Sequence, residues 1–98
     1  GHAVYCMAKA ALAAMTRALA KELAPAVRVN GVSPGAILWP EGEGEMDAAL
    51  QAQILASVPL GRIGGVDAVA EAIGFLITGT DYVSGQIIAV DGGRSVWG

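Results

Sequence analysis

The chain is poor in the residues from which most scaffolds and active sites are built. Among 98 residues there is one cysteine, so no internal disulfide framework forms, and a lone thiol fits a reducing compartment. The one histidine, His2, leaves metal clusters and histidine-based triads almost nothing to work with. Charged residues make up 15 % of the chain and balance to a net charge of -3 with no basic run, which argues against a nucleic-acid surface. No uninterrupted apolar run reaches the roughly 18 residues that span a bilayer, and no signal-peptide pattern opens the sequence. A cytoplasmic protein with no metal, nucleic-acid or membrane partner is therefore expected. No internal repeat or low-complexity segment is present.

Apolar material, by contrast, is in excess. Hydrophobic residues account for 54 % before the 14 glycines are added, against about 45 to 50 % with glycine included in an ordinary soluble domain. A lone domain of this length has too little interior to hide so much apolar surface. Its buried faces are expected to be covered by further sequence or by other subunits. There is no initiating Met, and Gly1 stands four residues before the tyrosine that draws most attention. Residues 1–98 are thus expected to be the C-terminal portion of a longer single domain.

That tyrosine opens the stretch Tyr5-Cys6-Met7-Ala8-Lys9. On a helix, Tyr5 and Lys9 project side by side from one face. A free phenol ionises near pH ~10 and handles protons poorly at neutral pH. In general a nearby ammonium favours the phenolate, which makes such a pair a candidate acid/base unit. Spacing alone leaves open that the pair is only a solvated helix face. Cys6 points off another face and is expected to be a packed thiol.

Val4, Ala8, Ala11, Leu12, Met15, Leu19 and Leu23 recur at helical steps, which predicts a helix from about Val4 to Ala24, stopped by Pro25. Ala10, Ala13, Ala14 and Ala18 leave the remaining surface small and smooth, so one side is expected to pack on a sheet and another on a subunit. Val27 to Val32 reads as a strand broken by Pro34-Gly35, and the crevice beyond such a strand is where ligands sit in open α/β sheets. Pro40 to Asp47 is an acidic loop, and Met46, Leu50, Ile54 and Val58 mark a short helix from Met46 to Val58. A lid and a plain surface excursion both fit it. After the Pro59–Gly65 loop, Val66 to Ile77 is a helix with Val69, Ala70, Ile73, Phe75, Leu76 and Ile77 buried. Gln86 to Val90 is a second strand, ended by Asp91-Gly92-Gly93. Strand, crossover helix and strand in this order imply a parallel pair. Two strands do not stand alone, so the rest of the sheet lies elsewhere.

Read together and in order, Tyr5 and Lys9, Ala10-Ala11-Leu12, Glu22-Leu23-Ala24, Arg28-Val29-Asn30, Pro34-Gly35, Pro59-Leu60-Gly61-Arg62, Phe75-Leu76, Val83-Ser84-Gly85-Gln86 and Val90-Asp91-Gly92-Gly93 resemble the C-terminal part of the short-chain dehydrogenase/reductase family. The resemblance implies an α/β fold, the C-terminal part of a doubly wound Rossmann-type parallel sheet. This chain would supply the last two strands, the catalytic helix and the lid helix. It implies that Tyr5 is the general acid or base and that Lys9 assists it and holds the nicotinamide ribose. Pro34, Gly35, Ala36 and Ile37 would contact the nicotinamide of the cofactor. Many members carry a threonine a few residues on, where this chain has Leu38-Trp39. The glycine-rich phosphate turn, the Asn-Ala-Gly stretch and the catalytic serine or its substitute would lie upstream, so this chain alone is expected to be inactive.

The stretches Tyr5 to Leu12 and Pro34 to Glu41 look most like the bacterial pteridine reductases. That likeness implies NADPH-dependent reduction of a pterin or dihydrofolate-type ring, with Leu38 and Trp39 as apolar substrate walls. The alternatives are a carbonyl reductase acting on a 3-oxoacyl or small ketone substrate, and a non-catalytic dinucleotide-binding member. The family also implies pairing of Ala-rich helices between subunits, commonly in tetramers. Trp97 is either a subunit contact or part of a frayed tail.

Overall fold

The computed structural model describes residues 2–39 and 47–96. The acidic stretch 40–46 and Trp97 lie outside the described residues. In chain order the elements are α1 (His2–Leu23), β1 (Gly31–Pro34), α2 (Ala48–Ala56), α3 (Gly65–Gly74), a π-helical turn (Phe75–Gly79) and β2 (Ile87–Val90). The two strands form one sheet. The Gly31 amide donates to Gln86 O and the Gly35 amide to Val90 O, each at 2.9 Å. Both partners advance by the same step along the chain, as a parallel pair requires. The fold is thus a small α/β unit of Rossmann type.

The chain divides into two compact units, Gly1–Gly31 with Gly74–Ile88 and Val32–Ile73 with Ala89–Gly98. In the first, α1 ends where Pro25 follows, because proline supplies no amide to continue the helical ladder. Its buried stripe is narrow: Thr16 and Ala20 are buried and Ala13 and Leu19 half-buried. Thr16 Oγ1 returns its proton to Leu12 O at 2.8 Å, which satisfies a hydroxyl that would otherwise be buried unpaired. Val4, Met7, Leu12 and Met15 are exposed, so the expected burial of this helix on several sides is not met within the chain. Cys6 is likewise exposed rather than packed.

One expectation about this helix is corrected. Ala3–Leu23 has a mean hydropathy of 1.2, so by length and composition it reaches what a membrane crossing needs. Counting uninterrupted apolar residues missed this, because the alanines keep the average high across Lys9 and Arg17.

The strand expected from Val27 to Val32 begins later, at Gly31. Over Arg28 to Asn30 side chains do most of the pairing that main-chain rungs do further on. The Arg28 guanidinium donates to Leu76 O at 2.8 Å and to Val83 O and Ile77 O at 3.3 Å. Asn30 Nδ2 donates to Val83 O at 2.8 Å, and Asn30 Oδ1 accepts from the Gln86 amide at 3.0 Å. Ser84 Oγ accepts from the Val29 amide, and the Gly85 amide donates to Val29 O at 2.7 Å. Asn30-Gly31, a hairpin signature in isolation, here serves as a side-chain bracket across two parallel segments.

In the second unit Asp47 caps α2, its carboxylate accepting from the Leu50 amide at 2.8 Å. The last helical residue is Ala56, two residues sooner than the apolar spacing suggests, and Val58 leaves the helix to become 4 % exposed. The helix expected over Val66 to Ile77 begins at Gly65 and loosens after Gly74 into the π-helical turn. Of the residues expected buried there, Leu76 is buried and Val69 half-buried, while Ala70, Ile73, Phe75 and Ile77 are exposed. A two-stranded sheet offers these helices too little surface to cover them.

Candidate active site

Tyr5 and Lys9 stand on successive turns of α1. Lys9 Nζ lies 5.7 Å from the centroid of the Tyr5 ring, within the range of a cation–π contact. Both side chains are exposed, Tyr5 at 57 %. Helical periodicity alone puts them on one face, so this part of the arrangement needs no tertiary contact.

Pro34, Gly35, Ala36, Ile37 and Leu38 come together in the second unit. They form one wall of an apolar groove of about 610 Å³ whose other wall is the Val66, Val69, Ala70 and Ile73 side of α3. Trp39 is half-buried and is not among the groove's walls. The loop is held from two sides. Ala36 O accepts from the Gly64 amide at 3.0 Å and Ile37 O from the Gly65 amide at 2.9 Å. Gly35 lies so close to Asp91 that a Cβ on it would stand 2.7 Å from the Asp91 Cβ, leaving room for nothing larger than glycine. Among the described residues, the amides of Ala36 and Ile37 meet no acceptor.

The Asp91-Gly92-Gly93 turn that Gly35 touches is itself tightly built. Asp91 Oδ1 accepts from the Gly93 amide at 3.0 Å and Oδ2 from the Ser95 amide at 3.1 Å. The Ser95 hydroxyl, with these two amides, holds the Asp91 carboxyl below its usual range, against an opposing push from desolvation. Gly92 sits at φ +64°, and a Cβ there would stand 2.6 Å from Val58 Cγ1. The Leu60 amide donates to Gly92 O at 3.0 Å, which ties the segment after α2 to the same turn.

Sequence reasoning singled out Tyr5, Lys9 and Pro34 to Trp39 but missed Gly64 and Gly65, whose amides bind the carbonyls of Ala36 and Ile37. Their one signal was a glycine pair directly before a helix. Among the described residues no cluster of three or more histidine, cysteine, aspartate or glutamate side chains has the arrangement of a metal site.

A family model described as enoyl-(acyl carrier protein) reductase matches residues 1–95. The dihydromonapterin reductase of Klebsiella pneumoniae is 40 % identical over 93 residues, covering 95 % of this chain and 37 % of its own length. The 3-oxoacyl-(acyl-carrier-protein) reductase FabG of Pseudomonas aeruginosa is also 40 % identical, over 95 residues, covering 95 % of this chain and 38 % of its own length. The crystal structure of a short-chain dehydrogenase from Leptospira borgpetersenii, solved with bound NAD+, matches with a TM-score of 0.79 at 33 % identity, over 95 % of this chain and 35 % of that one. The chain spans a little over a third of the length of the curated relatives it matches. With an ordered set of motifs, a parallel strand pair and a family match over almost every residue, the chain belongs to the short-chain dehydrogenase/reductase family.

Proposed function

We propose that this chain is the C-terminal portion of one Rossmann-type reductase domain. Completed by an N-terminal dinucleotide-binding half, it would reduce a pterin or dihydrofolate-type ring with NADPH. The observation that carries this reading is the placement of Lys9 Nζ 5.7 Å from the Tyr5 ring on an exposed turn of α1. The residues present also suit the cofactor. Two main-chain donors at Ala36 and Ile37 with no acceptor among the described residues are the complement of a carboxamide oxygen.

When bound, the reduced nicotinamide would supply a hydride to the substrate. Tyr5 gives a proton from its hydroxyl to the substrate atom that gains the electron pair. Lys9, with its Nζ 5.7 Å from the centroid of the Tyr5 ring, stands beside the phenol as that proton leaves. Lys9 would also hold the nicotinamide ribose, and the Ala36 and Ile37 amides would hold the carboxamide. Leu38, a wall of the apolar groove, and Trp39, which lies outside it, would be the apolar surfaces offered to a flat heteroaromatic ring. The exposed apolar side of α1, with Leu12 and Met15, is a subunit contact in a homo-oligomer, probed as a tetramer by light scattering, and the protein is cytoplasmic.

The identity to a 3-oxoacyl reductase equals that to a dihydromonapterin reductase, so a carbonyl reductase is the second reading. Assay of the full-length protein with NADPH and dihydrobiopterin, beside a panel of 3-oxoacyl thioesters and small ketones, separates them. Turnover of ketones with no turnover of pterins ends the first reading. Equal or greater efficiency with NADH ends the preference for NADPH.

A further inference from the structure

We propose that Gly64 is a positioning residue for the cofactor: its amide sets the orientation of the Ala36–Ile37 peptide, so that the Ile37 N–H is presented to the nicotinamide carboxamide. The inference rests on the proposed function and deepens it. In a trans peptide the carbonyl and the following amide point in opposite directions. The Gly64 amide takes Ala36 O at 3.0 Å, which turns the Ile37 N–H away from the start of α3. The Gly65 amide takes Ile37 O at 2.9 Å and does the same for the Leu38 N–H. Two consecutive peptide planes are thereby fixed from outside the loop that carries them, while the Ile37 amide meets no acceptor among the described residues.

The packing at Gly64 fits this role. A Cβ there would stand 2.9 Å from Ile37 Cδ1 and 3.4 Å from Ala68 Cβ. The nearest neighbour is the far end of a side chain that can rotate aside, so a methyl group is tolerable, whereas loss of the N–H is not. Gly64→Ala keeps the donor and adds a methyl group, whereas Gly64→Pro removes the donor and adds ring carbons where the N–H stood, so the ligand without the nicotinamide serves as the control for bulk.

The test is the affinity of the full-length protein for two ligands, NADP+ and 2'-phospho-ADP-ribose, which lacks the nicotinamide. Gly64→Pro is expected to weaken NADP+ about tenfold, the effect of losing one well-placed hydrogen bond, and to leave the ring-less ligand unchanged. Gly64→Ala is expected to stay within about twofold for both, because its amide still donates. Equal weakening of both ligands by Gly64→Pro, or no weakening of either, overturns the inference. Should Gly64→Pro not fold, hydrogen exchange in the wild-type protein decides: NADP+ should protect the peptides covering 35–39 and 62–66, and 2'-phospho-ADP-ribose neither. Protection by both ligands alike, or none at 62–66, overturns it. A wild-type protein that binds neither ligand overturns the proposed function and this inference together.

Discussion

The helix turn carrying Tyr5 and Lys9 and the loop carrying Ala36 and Ile37 are held in place by different means. The first needs only the pitch of α1: residues four apart share a face wherever the helix forms. Its surroundings contribute little, since the buried stripe of that helix is confined to Thr16 and Ala20 with Ala13 and Leu19 beside them. The second has no regular structure of its own. Its carbonyls are tied to Gly64 and Gly65, and Gly35 is wedged against Asp91, all distant in sequence. A chemical pair can thus be written into local periodicity, whereas main-chain donors have to be aimed by partners elsewhere in the chain.

The sharpest test of the contrast is Tyr5→Phe in the full-length protein. The reductase rate should fall about a hundredfold or more, the range expected for loss of a general acid, with unchanged far-UV circular dichroism. An undiminished rate would remove the chemical half of the comparison. Gly92→Ala comes next. A methyl group at φ +64° and 2.6 Å from Val58 Cγ1 should cost about 2 to 3 kcal/mol of stability in urea denaturation, since neither the backbone nor a buried neighbour yields cheaply. A midpoint equal to wild type would mean the turn is not the anchor described above.

Asn30→Ala is expected to cost less, about 1 to 2 kcal/mol, because it removes two partly exposed hydrogen bonds, to Val83 O and from the Gln86 amide. Asn30→Asp, which keeps only the acceptor, should fall between alanine and wild type on the same measurement. The smallest effect is the pH response of Asp91. Its folded carboxyl is held below the ordinary value of 3.8, so the native state binds fewer protons than the unfolded one. The stabilisation is present above that value and is lost as pH falls through the lower folded value. Urea midpoints of wild type and Asp91→Asn should therefore differ at neutral pH and converge in acid. A constant gap would show that the carboxylate charge plays no part.

Much of the architecture was legible. The apolar spacing of α1, the stop at Pro25, the β-branched run of β2 and the parallel order all follow from local chemistry, and the ordered motifs pointed to the family before any contact was known. Three things were not legible. The start of β1 slipped because Arg28 and Asn30 pair through side chains, which strand propensity does not register. The burial expected for Ile73, Phe75 and Ile77 did not appear, because hydrophobicity marks a face that seeks cover without saying which element covers it. The contacts made at Gly64 and Gly92 were not legible, since a glycine in sequence states what is permitted, not what lies opposite.

The amino-acid order by itself determined which residues share a helix face and where helices stop, because those depend on neighbours a turn or two away. Only the tertiary structure decided which carbonyls of the Ala36–Ile37 loop are occupied and which amides remain. That choice depends on partners brought together across long stretches of chain, at distances that composition and periodicity do not encode.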